Sequence, residues 1–148
     1  MTAQFVTFSV ERCFLGLDVT HVKEILRYQE MTPVPLARSD FEGLINLRGQ
    51  IVTAMDLRRR LGLPPRPKGS RPMNLVVRSD DGSLSLLVDE IGDVLEVDEA
   101  SFEKPPATLQ GEMRTLIKGT YKVESGLLLE LDLDLLVNGS PMESTGSI

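Results

Sequence analysis

The sequence predicts an all-β protein built from two similar units of about five short strands each. Apolar and polar residues alternate over short stretches such as QFVTFSV, which is the period of a half-buried strand. Turn-forming residues separate these stretches at short intervals. When the second half of the chain is laid on the first with a shift of 76 residues, apolar residues, a glycine and an Asp-Leu pair coincide, which indicates an internal repeat.

The first elements are a predicted hairpin and a predicted short helix. QFVTFSV and CFLGL indicate two strands, joined by a tight turn at Glu11 and Arg12. Asp18 is suited to cap a helix, so DVTHVKEIL predicts a short helix with Val22 and Ile25 on its apolar face.

The next segment predicts an irregular connection. TPVP (residues 32–35) cannot be helical, because its prolines remove backbone donors and extend their neighbours. SDFE (residues 39–42) has the spacing of a capping box and predicts a helical turn that Gly43 ends.

GLINLRGQIVTAMDL predicts a second hairpin, with Arg48 and Gly49 in its turn. Asp56 then caps a short helix, LRRRL, whose three arginines we place on the solvent side of an amphipathic helix. The composition of residues 64–72 indicates a loop.

The second half predicts the same kinds of element. MNLVVR, LSLLV and VLEV indicate strands, SDDGS a hairpin turn, and DEIGD a short helical or irregular piece. A mixed segment, residues 98–118, leads to KGTYKVESGLLLELDLDLLVNG. The last residues, 139–148, have the composition of a flexible tail.

The repeat includes the apolar residues of the strands but not the residues of the turn. The coinciding pairs are Gly43 with Gly119, Ile45 with Tyr121, Val52 with Leu128, Met55 with Leu131, Asp56-Leu57 with Asp132-Leu133, and Ser39 with Thr115 at an expected helix start. Arg48, by contrast, falls on Glu124. The turn at Arg48 therefore is not simply what this hairpin needs in order to fold.

Composition excludes several classes of function. The 148 residues carry a net charge of −6 and include no Trp, which argues against a general nucleic-acid binder. Residues 1–72 hold 11 Lys and Arg against 7 Asp and Glu, while residues 73–148 hold 5 against 15, which suggests two faces with different partners. A single cysteine excludes an internal disulfide, and we expect a soluble, cytoplasmic chain without direct membrane insertion.

The sequence offers little catalytic chemistry. One histidine, His21, lies outside any Cys/His cluster, and no glycine-rich phosphate loop is present. We therefore expect no enzyme, no cofactor and no metal. Glu130, Asp132 and Asp134 leave open a cation-binding face, although a solvated strand face that runs into a helix cap explains them as well. A small-ligand or ion-binding module thus remains the alternative to a protein-binding module.

Four stretches resemble the CheW family of bacterial chemotaxis adaptors: FSVERCFLGLDVTHVKEIL, TPVPLARSDFEGLINLRGQIVTAMDLRRRLGL, SLLVDEIGDVLEV and KGTYKVESGLLLELDLDLLV. They cover about residues 4–137, and the NLRG turn is their most specific part. The resemblance implies a single CheW-like domain over residues 1–148, with two pseudo-repeated five-stranded SH3-like β-barrels and short helices. The two barrel subdomains would be interwoven, with core motifs at about 18–64 and 90–138.

The resemblance also implies partners. Proteins of this family bridge the cytoplasmic tips of chemoreceptors and the regulatory domain of the histidine kinase CheA, so recruitment to membrane receptor arrays is expected. CheW-like paralogues are further candidate partners. An adaptor of a different chemotaxis-like pathway, such as type IV pilus motility, is an alternative that the sequence does not separate.

Candidate site residues follow from the same resemblance. Receptor binding is expected at Val22, Glu24 and Arg48, and kinase binding at Leu44, Leu47, Ile51 and Thr53. Glu24 and Arg48 are opposite charges that could meet, and Arg48 could either tie down its turn or recognise a partner. Where the family often has proline, this chain has Thr53, which predicts a locally more regular strand.

Overall fold

The chain forms two five-stranded sheets with short helices at their ends. The computed structural model describes residues 1–33, 39–79 and 82–138. The strands in these ranges are β1 Thr2–Val10, β2 Cys13–Asp18, β3 Val22–Leu26, β4 Phe41–Leu47, β5 Gln50–Asp56, β6 Met73–Ser79, β7 Gly82–Val88, β8 Glu90–Asp98, β9 Ile117–Val123 and β10 Gly126–Leu131. The helices are α1 Leu57–Arg60, α2 Gly111–Leu116 and α3 Leu133–Asn138, with single 3-10 turns at Val19–His21 and Glu99–Ser101.

Each sheet contains strands from both halves of the chain. Sheet A has the order β8-β1-β2-β10-β9, and sheet B has the order β3-β6-β7-β5-β4. The N-terminal hairpin β1–β2 thus completes the sheet of the second half, while β6–β7 completes the sheet of the first. The prediction of an all-β protein with two five-stranded units is confirmed.

The internal repeat corresponds to equivalent places in the two sheets. A shift of 76 residues brings β4 onto β9, β5 onto β10 and α1 onto α3. Ile45 and Tyr121 are both buried, as are Val52 and Leu128. The repeated apolar residues therefore have the same packing role in both units.

Two groups of buried side chains hold the sheets. The larger combines residues of both sheets with the three helices, and includes Phe8, Leu15, Met55 and Leu86. A smaller group within sheet A contains Phe5, Val97, Tyr121 and Leu128. Because the larger core is shared, neither sheet buries its apolar face alone.

A close backbone approach explains the repeated glycine. A Cβ atom at Gly43 would lie 2.7 Å from the carbonyl oxygen of Thr32, and one at Gly119 would lie 2.7 Å from that of Glu103. Gly43 lies inside β4, so the prediction that it ends a helical turn is wrong. Residues 39–40 form a turn from which β4 starts directly, and Thr115 lies near the end of α2 rather than at a helix start.

Two further helical predictions are wrong. Asp18 does cap a helical turn, through its carboxylate and the backbone N–H of Thr20, but the turn stops at His21. Val22–Leu26 is strand β3, which pairs with β6, because β-branched residues and pairing with a neighbour outweigh the apolar periodicity. Residues 90–93 of DEIGD likewise belong to β8, which pairs with β1 across a register shift, while Asp89 lies just before the strand.

Arg58 and Arg60 contradict the solvent-facing prediction for LRRRL, whereas Arg59 is exposed as predicted. Arg60 is only 3% exposed, and its guanidinium lies 2.9 Å from Glu112 and 3.6 Å from Asp40. It also donates hydrogen bonds to the carbonyl oxygens of Leu135 and Leu136. This arginine therefore joins α1 of one unit to α2 and α3 of the other.

Arg58 and Arg66 fix the loop of residues 64–72 to the fold, because both contact the carboxylate of Asp89. Burial alone would raise the pKa of Asp89, but hydrogen bonds from Arg58 and from the backbone N–H of Glu11 lower it below the ordinary value. The loop prediction is confirmed.

Parts of some predictions lie outside the described residues. These are positions 34–35 of TPVP, positions 80–81 of SDDGS and the tail at 139–148.

Substitution of Arg60 by alanine should destabilise the fold strongly, by about 3–5 kcal/mol, because two carboxylates lose a buried cation. Urea unfolding of the purified variant measures this loss. Arg59→Ala on the same helix is the matched control, since the half-exposed Arg59 pairs with exposed Glu42 and with Asp56, and Asp56 keeps its contact with Arg66. Its loss should cost about 1 kcal/mol or less. Equal losses for the two variants would contradict the linking role of Arg60.

Candidate functional site

The turn between β4 and β5 has an unusual backbone for its sequence. Arg48 has φ of 51° and Gly49 has φ of 87°. Two consecutive positive φ values between directly paired strands correspond to a type I′ turn, where Asn-Gly is the favoured pair. An arginine in this conformation costs roughly 1–2 kcal/mol relative to glycine. The choice of arginine therefore has a reason other than turn stability.

Glu24 holds the arginine through an ion pair between the Arg48 Nη2 and the Glu24 Oε2 atoms. Glu24 lies on β3, at one edge of sheet B, while Arg48 follows β4, at the opposite edge. The contact therefore joins the two edges, as expected for a sheet that curls into a barrel. The Arg48 side chain is still 73% exposed, so the pair contributes little to stability.

A small cavity of about 240 Å³ lies beside this ion pair. Glu24, Leu47 and Arg48 are among its lining residues. Lys23 donates a hydrogen bond of 2.6 Å to the Ser83 hydroxyl at the same end of the sheet. The sequence did not point to Lys23 or Ser83, because their approach depends on how β3 and β7 are arranged in the sheet.

The other receptor candidate, Val22, is in a different environment. It is half-buried and packs against the main core, while Ile25 is 41% exposed. A register shift between Val22 and Glu24 separates the two candidates on β3. Glu24 and Arg48 thus meet in one ion pair, whereas Val22 packs against the main core.

The four kinase candidates do not share one face of the β4–β5 hairpin. Leu44 pairs with Thr53, and these positions alternate with the buried pair Ile45 and Val52. Leu44, Thr53 and the 64% exposed Ile51 therefore point to the outer face, which we call the hairpin face. Leu47 points to the opposite side, where it lines the small cavity.

Thr53 lies inside sheet B rather than at its edge. Strand β5 lies between β4 and β7, and Thr53 pairs with both Leu44 and Leu84. Pairing with β4 has no register shift from Gln50 to Ala54, which agrees with the expected regular strand.

Glu130 and Asp132 of LELDLDLL have different partners. Asp132 accepts a hydrogen bond from the backbone N–H of Leu135, while Glu130 lies 3.9 Å from Lys118. No cluster of three or more His, Cys, Asp or Glu side chains suited to a metal is present in residues 1–33, 39–79 and 82–138. The geometry therefore gives the cation-binding alternative no support.

Comparison with known proteins agrees with this architecture. The family model of the CheW-like domain matches residues 4–140. The chain belongs to the CheW-like family. A crystal structure of the scaffolding protein TtCheW from Thermoanaerobacter tengcongensis superposes with a TM-score of 0.83 at 30% identity, covering 96% of this chain and 98% of that one.

Relatives from several bacteria are similar to this CheW-like chain. The chemotaxis protein CheW of Bacillus subtilis is 30% identical, covering 95% of this chain and 90% of that protein. The CheW of Treponema pallidum is 27% identical, with 98% and 88% covered. Protein PilI of Pseudomonas aeruginosa is also 30% identical, with 78% and 65% covered.

The helices of this CheW-like chain are short. Across the three described ranges, none combines the length and the apolar character that a membrane-spanning helix needs.

Replacing Arg48 by asparagine should leave the unfolding free energy unchanged or slightly raised, because asparagine tolerates positive φ and favours the type I′ turn. Arg48→Val should lower it by about 1–2 kcal/mol, because a β-branched residue is strained there. Urea unfolding of both variants tests the turn geometry. A loss for Arg48→Asn as large as that for Arg48→Val would show that the guanidinium itself holds the hairpin.

A pH-dependent prediction concerns Glu130. Burial raises the pKa of its carboxyl above the ordinary value of about 4.3, so the folded state binds more protons than the unfolded state just above that pH. Stability should therefore fall as pH rises from about 4.3 through the raised pKa. Glu130→Gln should flatten this fall in urea unfolding measured from pH 4 to pH 7. A slope identical to that of the wild type would contradict the assignment.

Proposed function

We propose that the chain is a non-enzymatic adaptor that couples chemoreceptors to the histidine kinase CheA in bacterial chemotaxis signalling. Membership of the CheW-like family, and similarity over nearly the whole chain to proteins named chemotaxis protein CheW, support this function. In this function the protein performs no reaction, and its contribution is to hold two partners at a defined distance and orientation.

The single observation that carries the receptor assignment is the exposed arginine in a left-handed turn. A glycine or asparagine would suit the backbone of residue 48 better, so arginine there is explained by recognition. The guanidinium is a planar fork of donors that suits carboxylates and backbone carbonyls. Glu24 contacts one side of this fork and orients it, while most of the side chain stays accessible to a receptor tip.

The kinase assignment rests on the hairpin face. Ile51 is among the most exposed apolar side chains in the described residues, and Leu44 and Thr53 extend the same surface. An exposed apolar side chain beside half-buried neighbours is the kind of anchor that protein interfaces use. We propose that the CheA regulatory domain docks here, with Leu47 supporting the hairpin from its other side.

The signalling pathway in which this protein acts depends on which receptors and which kinase it binds. Similarity to protein PilI, beside the similarity to several CheW proteins, favours a chemotaxis-like pathway of another kind as the second candidate. In either pathway the adaptor would be recruited to receptor arrays at the membrane, and CheW-like paralogues would compete for the same surfaces.

Two variants should separate the two partners. Arg48→Asn should weaken binding to the cognate receptor cytoplasmic fragment about tenfold or more, because a charge-assisted contact worth about 1.4 kcal/mol or more is lost. Ile51→Asp should weaken binding to the cognate CheA regulatory domain by a similar factor, because it places a charge in an apolar contact. Isothermal titration calorimetry with both partners measures the four affinities.

Each variant is the control for the other. Arg48→Asn should keep its affinity for the kinase domain, and Ile51→Asp should keep its affinity for the receptor fragment. The site assignments are wrong if each variant affects both partners equally or neither. Wild-type protein that binds neither cognate partner would contradict the adaptor function itself.

A further inference from the structure

The two sheets differ in the space between their edge strands. In sheet B, the Glu24–Arg48 ion pair bridges the gap, and the cavity beside it measures about 240 Å³. In sheet A, the equivalent gap between β8 and the β9–β10 hairpin is a groove of about 760 Å³. Glu124 stands at the position of Arg48, and in the described part of the chain no ion pair joins β8 to this hairpin. We call this space the edge groove.

Backbone groups on the β8 side of the edge groove point into it. The backbone N–H of Glu99 donates to the carbonyl oxygen of Met1 at 3.0 Å, so residue 99 faces β1. In an antiparallel pair, successive residues face opposite sides, so Glu96 directs its N–H and C=O away from β1. Strand β8 is an edge of sheet A, so these two groups face the groove.

The β9 side has the same arrangement. The N–H and C=O of Thr120 both bond to Glu103, at 2.8 and 2.9 Å, on the side away from β10. By the same alternation, Lys122 directs its N–H and C=O to that side, beyond the point where Glu103 ends its pairing. Within the described residues, these groups of Lys122 have no backbone partner.

The edge groove has an apolar floor and an acidic rim. Leu95, Val97 and Val123 supply the apolar floor, with Val97 and Val123 also packing in the smaller core of sheet A. The rim carries three carboxylates, from Glu96, Asp98 and Glu124, against the single cation of Lys122. A ligand with alternating apolar and basic side chains would match both surfaces.

We propose that the edge groove binds an extended, basic peptide segment of a partner protein, which adds a strand between β8 and β9. The groove runs along residues 95–98, roughly 13 Å of strand, and so takes about four residues in extended form. Main-chain hydrogen bonds to Glu96 and Lys122 supply the pairing, and the acidic rim selects lysine or arginine at alternate positions. A second copy of this acidic half is disfavoured by charge repulsion.

This binding is independent of the receptor and kinase assignments, because it uses the other sheet. The probe is a synthetic peptide, acetyl-KVKVKVK-amide, titrated into the full chain at about 0.15 M salt while backbone amide signals are followed by NMR. The control peptide carries N-methyl groups on its valine amides, which keeps the charge and removes the backbone hydrogen-bond donors on one side of the extended peptide. The expected result is binding of the first peptide with shifts at residues 95–98 and 121–124, and at least tenfold weaker binding of the second.

The matched protein variants are Lys122→Pro and Lys122→Ala. Both remove the same charge, but only proline removes the backbone N–H, at an edge position where proline is tolerated. Lys122→Pro should bind the unmodified peptide at least tenfold more weakly than Lys122→Ala. Equal affinities of the two variants or of the two peptides, shifts outside the groove, or no binding would each overturn the proposal. If Lys122→Pro does not fold, as judged by circular dichroism, the N-methylated peptide alone decides the outcome.

Discussion

The two sheets share one apolar core, and neither sheet buries its apolar face without the other. Each sheet takes a hairpin from the opposite half of the chain, so both halves must be present before either sheet is complete. Arg60 strengthens this dependence, because its buried guanidinium joins helices of the two units. Such a scaffold keeps surfaces on the two sheets at a fixed distance, which is the property that an adaptor needs.

Differences between the two units lie at the sheet edges and turns rather than in the core. Ile45 and Tyr121 occupy equivalent buried positions, and exposed Ile51 has its counterpart in exposed Leu127. Arg48, by contrast, closes one sheet through Glu24, whereas Glu124 leaves the other sheet with an open groove. A duplicated scaffold with diverged ends offers separate binding surfaces without a change in the fold.

Much of this architecture could be predicted from the sequence, because strand alternation and the repeat depend on local spacing. The turn at Arg48 and its proximity to Glu24 were predicted correctly, whereas the helix expected at Val22–Leu26 is a strand. Pairing with β6 determines that this segment is a strand. The apolar periodicity of five residues contains no information about a partner strand. The buried state of Arg60 was missed for the same reason, since Glu112 lies 52 residues away along the chain.

We propose that Arg48 is present for recognition and that Glu24 orients it. The most direct test is a double-mutant cycle with Glu24→Gln and Arg48→Asn, measured both in unfolding free energy and in affinity for the cognate receptor fragment. The expected coupling in unfolding is about 1 kcal/mol or less, since the pair is exposed, and the coupling in receptor binding should be larger. Coupling in unfolding that equals or exceeds the coupling in binding would contradict this proposal.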